Sequence, residues 1–455
     1  MLGALLPRVI PSGWYGAPTA FPVLSGLEAD LLRGDGPDTV TAALDRAKHE
    51  LYGQLRGRFT ARRAQALTLK ALNICVARQH FQARDTSVGS RPIGLVVDPS
   101  NLCQLGCPGC VHSPRAEALQ IVDWPKGTLT IDRFAALMER YGSFAVGVYF
   151  CNYGEPLLNL ATPRFIRLAK GYLAWTALST SLSVRRLDAE AYVESGLDFM
   201  ALSIDGATQR VYERFRRGGD LECTLSNLRK LVDAKRRMRK RTPVLAWNFL
   251  AFEHNAHEIP LARSMARKLG ADQFRVVNPF DVGWDDPEIR PAAVEAGVQR
   301  FDWLTAVHVA RNWDPLPNPA AAEVIERAFE SPWSHEVSSG NSPNHGHTCH
   351  WLYKNMVMDA TGRILPCCGA PGAGRDLVFG EFEAHTGDPF NTDRHREART
   401  FFRGDRPASD AGPHCVRCEW DQTTVNIGGE EIRRYFLAAD PAFFDRRSLT
   451  ILGDW

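Results

Sequence analysis

The sequence has no run of about eighteen consecutive apolar residues, the length a helix needs to cross a bilayer, so no membrane insertion is expected. It also lacks a charged start followed by a long hydrophobic stretch. The apolar patch from Leu2 to Ile10 is short and broken by Pro7 and Arg8, so a cytoplasmic, unexported chain is expected. Net charge is nearly absent, +2 over 455 residues, which gives no electrostatic reason to expect nucleic acid or an anionic surface as a partner. The one basic run, Lys235 to Arg241, follows Leu225, Leu228, Leu231 and Val232. That spacing marks an amphipathic helix, and cations suit its C-terminal end. There is no internal repeat and no long low-complexity tract.

What is present is an ordinary globular composition, 44% hydrophobic and 23% charged, over a length that suits one large domain with smaller additions. Residues 1–90 read as a helical N-terminal extension after a Pro- and Gly-rich start. One helix begins near Asp35-Gly36-Pro37 with Val40, Ala43, Leu44, Ala47 and Leu51 as its stripe, and a second covers about 59–81. From 91 to 280, short apolar runs alternate with helical stretches, the pattern of repeated βα units. Strands are expected at 93–98, 144–151, 174–180, 198–204, 243–252 and 273–277. Six parallel strands predict an α/β fold, a partial barrel rather than a closed one of eight. Residues 281–345 read as a connector with one helix near Ala320 to Phe329. Residues 346–455 form a small C-terminal unit, in which Met356 to Pro366 reads as a β-hairpin turning at Asp359 to Gly362.

Eleven cysteines in a cytosolic chain are not a disulfide framework, because such thiols are kept reduced. Seven fall into two groups: Cys103, Cys107 and Cys110, then Cys349, Cys367, Cys415 and Cys418. Cys75, Cys151, Cys223 and Cys368 stand apart and read as buried structural thiols. The first group follows the first strand directly, in Asp98-Pro-Ser-Asn-Leu-Cys103-Gln-Leu-Gly-Cys107-Pro-Gly-Cys110. Three soft ligands in one short loop can hold three corners of a four-iron cube and leave the fourth iron open. A zinc site or three unrelated thiols are the other readings of the residues.

The Cys-x3-Cys-x2-Cys loop after a first strand resembles the signature of the radical S-adenosylmethionine (radical SAM) superfamily. The resemblance covers about residues 92–280. It implies a [4Fe-4S] cluster on Cys103, Cys107 and Cys110 whose open iron binds S-adenosylmethionine, reductive cleavage to a 5′-deoxyadenosyl radical, and hydrogen abstraction from an unactivated carbon. Asn152-Tyr153-Gly154-Glu155-Pro156 is similar to the family's Gly-Gly-Glu-Pro loop, with Tyr153 in place of the first glycine. Leu178-Ser179-Thr180-Ser181 and Ser203-Ile204-Asp205-Gly206 resemble cofactor-contacting strand ends, and Tyr212 to Gly219 a stretch in which Arg216 faces the cofactor. The implied cofactor-binding residues are thus Gly154, Glu155, Ser179, Ser203, Asp205 and Arg216. Gly109 replaces an often aromatic residue that packs near adenine. Asn255 and Glu258 match a stretch that caps the following helix, which accounts for Glu253 to Glu258 without His254 or His257 acting as metal ligands.

The second cysteine group resembles the auxiliary-cluster domain called SPASM, in its single-cluster twitch form. It implies a second [4Fe-4S] cluster on Cys349, Cys367, Cys415 and Cys418. Structural zinc on the same thiols, with His345, His347, His350 and His414 nearby, and Cys368 in place of Cys367, are alternatives. Relatives of this kind modify peptides or natural-product precursors, or act on sugars and other small metabolites, with reduced flavodoxin or ferredoxin as electron donor. Leu24 to Ala43 is similar to part of a leader-peptide-binding module, without its leading strands. The catalytic acid or base, the carbon attacked and the fate of S-adenosylmethionine are not written in the sequence.

Overall fold

In the computed structural model, residues 26–27, 30–31, 37–57, 59–115, 124–277, 279, 286–292, 300–302, 307–309, 313–315, 349, 351–367, 378–384 and 387–403 are described. Cys368, Cys415, Cys418, the four C-terminal histidines and the helix expected at 320–329 lie outside them, as does the start of the Leu24 to Ala43 segment.

Two helices open the chain, α1 (Pro37–Arg56) and α2 (Ala61–Ala83), the second capped by the Thr60 hydroxyl accepting from the Arg63 N–H. The βα alternation then runs β1 (Gly94–Val97), α3 (Ile131–Tyr141), β2 (Gly147–Phe150), α4 (Thr162–Gly171), β3 (Trp175–Thr180), α5 (Ala189–Glu194), β4 (Phe199–Ser203), α6 (Gln209–Phe215), α7 (Leu221–Arg237), β5 (Val244–Leu250), α8 (Ile259–Leu269) and β6 (Gln273–Val277). Each of the six expected strands is present, and β1 to β6 pair in chain order, all parallel. Such pairing needs a crossover between strands, which the helices supply. Helix α3 shows why: Thr130 caps it, and Phe134, Leu137, Met138 and Tyr141 bury one stripe.

The connector contributes more than the sequence suggested. It holds β7 (Arg300–Asp302), β8 (Val307–Val309) and β9 (Trp313–Pro315), and β9 pairs antiparallel with β6. Runs of three residues are too short for a periodic signal, so only long-range pairing reveals them. The C-terminal unit holds α9 (Trp351–Lys354), β10 (Asn355–Met358), β11 (Arg363–Leu365), β12 (Gly380–Glu381) and α10 (Asp393–Arg403). Strands β10 and β11 are the expected hairpin. Asp359 shapes its turn by accepting from the N–H groups of Thr361 and Arg363, and Gly362 takes a left-handed φ of 95°. Strand β10 also lies parallel against β1, so one sheet of ten strands, in the order β12-β11-β10-β1-β2-β3-β4-β5-β6-β9, forms among the described residues, and it is open.

At the amino ends of the strands one device occurs twice. Asp198, before β4, accepts from the Thr176 N–H of β3 (2.7 Å) and from Lys170 of α4 (2.7 and 3.0 Å). Asp272, before β6, accepts from the Leu245 N–H of β5 (2.7 Å) and from Lys235 of α7. The basic run thus ends a helix, as expected, with Lys235 turned inward and Arg237 paired to Glu190. Removing one partner of a buried pair leaves the other charge uncompensated. Asp198→Ala is therefore expected to lower unfolding free energy by about 3–5 kcal/mol, read from urea denaturation. A loss below about 1 kcal/mol, the surface-pair range, would mean that Lys170 finds water instead.

Candidate active site

The three N-terminal cysteines lie in the loop after β1, at the carboxyl end of the parallel strands, where folds of this kind place their chemistry. They share a small apolar cluster apart from the main core: Cys107 is buried with Leu105, Phe215, Phe252 and Ile289, and Cys103, Cys110 and Leu250 pack against it. Gly109 takes a φ of 76° between the second and third cysteines, a conformation that suits glycine. Burial pushes all three thiols up, Cys110 to about 12, so as free groups they stay protonated. Bound iron would reverse that by supplying positive charge to the thiolates. The Arg216 guanidinium already donates to Cys107 Sγ at 3.8 Å.

Buried carboxylates set the loops around this one. Asp98, at the end of β1, accepts from the N–H groups of Asn152 (2.6 Å), Tyr153 (3.2 Å) and Gly154 (3.3 Å). Burial pushes its carboxyl up to about 7, against those donors. The Asn152–Pro156 loop is held so close that a Cβ on Gly154 would sit 1.5 Å from the Ser100 carbonyl oxygen, so only glycine fits there. Glu155 reaches on to the end of β3, accepting from the Thr180 hydroxyl (2.6 Å) and from the Ser181 N–H (2.9 Å) and hydroxyl (2.7 Å). Its own N–H donates to the Leu102 carbonyl beside Cys103 (2.8 Å).

On the far side, Asp205 accepts from Arg216 Nε (2.5 Å) and from the Leu250 N–H (2.6 Å). The hydroxyls of Ser179 and Ser203 face each other at 3.4 Å across β3 and β4. Thus the carboxylates of Glu155 and Asp205 are engaged in positioning, Gly154 packs against the segment leading into the cysteine loop, Arg216 meets Cys107, and the two serines lie near the carboxyl ends of β3 and β4. The capping role expected of Asn255 and Glu258 is overturned. Glu258 accepts from Ala207 N–H (2.6 Å), Thr208 N–H (3.1 Å) and the Thr208 hydroxyl (2.6 Å), and so holds the turn before α6. Asn255 makes no cap and bonds Phe252 N–H and the carbonyls of Asp205 and Leu250. Sequence spacing could not show this, because the donors that Glu258 satisfies, and the Asp205 carbonyl that Asn255 bonds, lie about fifty residues earlier. His254 stacks on Phe252 at 5.6 Å.

Two further residues escaped the sequence reading. Asp98 opens the cysteine motif, where an acidic residue at a buried strand end was the available signal. Gln104, inside the motif, ties it to the segment just after β3 through the Ser181 hydroxyl (3.1 Å) and the Ser183 carbonyl (2.9 Å). Of the second cysteine group, Cys349 is buried before α9 and Cys367 packs on the core just after β11. Among the described residues no three His, Cys, Asp or Glu side chains are drawn together as a cage for a single metal ion. The donor set of the first loop, all sulfur on an apolar bed, fits an iron–sulfur cluster.

The profile of the Radical SAM superfamily matches residues 97–245, from the end of β1 to the start of β5. Residues 97–245 therefore carry a radical SAM domain, which marks the chain as an enzyme, and that superfamily uses a [4Fe-4S] cluster and S-adenosylmethionine. It is similar to a PqqA peptide cyclase of Rhodopseudomonas palustris, 23% identical over 362 residues, which cover 78% of this chain and 86% of the relative. It is also similar to a probable GTP 3′,8-cyclase of Methanococcus maripaludis, 26% identical over 183 residues, or 40% of this chain and 56% of the relative. Streptococcus suis SuiB aligns in structure with a TM-score of 0.48 and 14% identity, covering 86% of this chain and 87% of that one. No described helix is long and apolar enough to cross a membrane.

The grip of Asp98 on three consecutive N–H groups has a direct readout. In Asp98→Ala, hydrogen exchange at Asn152, Tyr153 and Gly154 is expected to speed up by about tenfold or more, the equivalent of one lost charge-assisted bond. Unchanged rates would mean that the loop is held by its other contacts alone.

Proposed function

We propose that this chain takes a hydrogen atom from a peptide substrate, with Cys103, Cys107 and Cys110 as the ligands of its catalytic cluster. The observation that carries this reading is the gathering of the three thiols on one apolar bed at the carboxyl end of β1, inside the radical SAM domain. When bound, the cluster and S-adenosylmethionine together supply a 5′-deoxyadenosyl radical able to abstract hydrogen from an unactivated carbon.

The chain's own residues bind, orient and exclude. The Gly154 loop offers backbone carbonyls to an ammonium group, and the Ser179 and Ser203 hydroxyls offer polar contacts to the rest of S-adenosylmethionine. Asp205 orients Arg216, whose guanidinium donates toward Cys107 and offsets negative charge on the cluster's ligands. Leu105, Phe215, Phe252 and Ile289 keep water from the thiols.

A peptide is preferred as substrate because the PqqA peptide cyclase is matched over 86% of its length, whereas the GTP 3′,8-cyclase is matched over 56%. That second likeness supports the other reading, a small metabolite acted on by the same radical. Cys349, Cys367, Cys415 and Cys418 are assigned to an auxiliary [4Fe-4S] cluster that accepts an electron from the substrate, in a C-terminal unit spanning 346–455. Reduced flavodoxin or ferredoxin is assigned as the electron donor, and the cytoplasm as the compartment.

Replacing Cys103, Cys107 and Cys110 with alanine should abolish 5′-deoxyadenosine formation with dithionite while iron remains in the C-terminal unit, as measured by iron analysis and product chromatography. Equal loss of all iron would mean that the two groups do not assemble independently. Replacing Cys415 and Cys418 should stop product formation, and unimpaired product would remove the electron-transfer role. Deuterium from a labelled peptide should appear in 5′-deoxyadenosine; transfer from a labelled small metabolite instead would select the second reading.

A further inference from the structure

Side chains alternate between the two faces of a sheet, so strand register tells which residues share a face. On the outer face of β5 and β6, Trp247 and Phe249 pack on Phe274, which lies under Arg263 of α8. On the opposite, inner face, Ser203, Asn248 and Arg275 stand side by side, with Ala201, Ala246 and Gln273 one pair earlier. The Arg275 guanidinium lies 5.1 Å from the centre of the Phe199 ring. Three long polar side chains therefore share the inner face of adjacent strands, at 8% exposure for Asn248 and 0% for Gln273 and Arg275.

Their hydrogen bonding is unbalanced in a specific way. Arg275 Nε and Nη2 donate to Gln273 Oε1 at 3.4 and 3.2 Å. A guanidinium can only donate, so it fixes the glutamine amide with oxygen toward Arg275 and Nε2 turned away. That Nε2 has no hydrogen-bond partner among the described residues, and neither has Asn248 Oδ1. Each buried, unpaired polar atom costs about 1–3 kcal/mol, a standing penalty that a matching ligand removes. One atom is a donor and the other an acceptor, and the group that answers both at once is an amide.

We infer that Gln273 and Asn248 form a subsite for a peptide bond of the substrate, with Gln273 Nε2 donating to its carbonyl and Asn248 Oδ1 accepting from its N–H. Arg275 acts through Gln273 as a positioning residue. The subsite rests on the reading of the chain as a peptide-modifying enzyme and adds to it the atoms that select an amide. An ester of the same shape leaves Asn248 Oδ1 unpaired and is discriminated against.

The test uses the full chain, reconstituted without oxygen and supplied with S-adenosylmethionine, titrated by saturation-transfer NMR with N-methylacetamide and with methyl acetate. The amide is expected to bind at least about tenfold more tightly than the ester, the ratio that one unpaired buried group produces. That preference should fall to parity in Asn248→Leu, which keeps the volume and loses the acceptor, whereas Gln273→Met loses the donor to a carbonyl that both probes carry and should weaken both alike. Gln273→Glu keeps an acceptor for Arg275 and removes the donor, so both probes should weaken in it as in Gln273→Met, which guards against an effect of misfolding. Parity in the wild-type protein, including no detectable binding of either probe, overturns the subsite, as does a preference that survives in Asn248→Leu or undiminished binding of both probes in Gln273→Glu. Parity in wild-type protein that still releases 5′-deoxyadenosine with dithionite rejects the subsite alone. Wild-type protein with no such release rejects the enzymatic reading beneath it.

Discussion

The site depends on one recurring interaction: a buried carboxylate on one strand end accepting hydrogen bonds from the loop of another. Asp98 holds the loop after β2, Glu155 in that loop holds the end of β3, Asp205 after β4 holds the end of β5, and Glu258 after β5 holds the turn after β4. A buried charge is costly unless fully hydrogen-bonded, and bonds to it are about twice as strong as neutral ones. Each tie therefore fixes its loop firmly, and breaking one leaves a charge stranded. The carboxyl ends of β1, β2 and β3 are joined in this way, as are those of β4 and β5, and the Ser179 and Ser203 hydroxyls meet between the two sets.

This arrangement is braced from late in the chain as well. The Asp98 N–H donates to the Met358 carbonyl (3.1 Å) and the Ala360 N–H to Asn101 Oδ1 (2.9 Å), so the hairpin of β10 and β11 anchors both ends of the segment leading into Cys103. Behind it, the buried Arg399 of α10 donates to the carbonyls of Leu352 and Phe390 and lies over the rings of Tyr353 and Phe390. The C-terminal segment thus belongs to the same sheet and core that hold the N-terminal cysteines. Cys349 and Cys367 sit at the two margins of this brace, and a cluster held by them would be mechanically continuous with the first loop.

The six parallel strands were legible because each is a compact run of apolar, β-branched or aromatic residues followed by a helical stretch, a signal contained within about thirty residues. The hairpin at 355–365 was legible for the same reason, through Asp359 and Gly362. What could not be read was pairing between distant segments: β10 beside β1, and β9 beside β6, since a strand's partner leaves no mark in its own composition. At the site, the three cysteines and the Gly154 loop were recognisable from spacing, whereas the work of Asp98 and Glu258 was not. A carboxylate that satisfies backbone donors looks, in sequence, like any other acidic residue. Gln273 and Asn248 were silent for a related reason, because a polar residue inside a strand reads as surface until the register turns it inward.

Most hydrolytic sites keep a carboxylate or imidazole available to move a proton. Here the side chains of Asp98, Glu155, Asp205 and Glu258 are taken up by N–H, hydroxyl and guanidinium donors, and burial pushes those of Asp98, Glu155 and Asp205 up. For hydrogen-atom abstraction this is a coherent arrangement: the step moves a proton and an electron together from carbon and asks no side chain to act as base. What it does ask is that one C–H bond be held at short range and in line, where a displacement of about 1 Å costs about a hundredfold in rate. Carboxylates used as clamps meet that demand, since charge-assisted bonds resist displacement more strongly than packing alone. The same logic gives Arg275 its place, as a cation spent on fixing the orientation of one glutamine. The chemistry of such a site lies in its stiffness, and the residues that carry it are those whose polar atoms are already occupied.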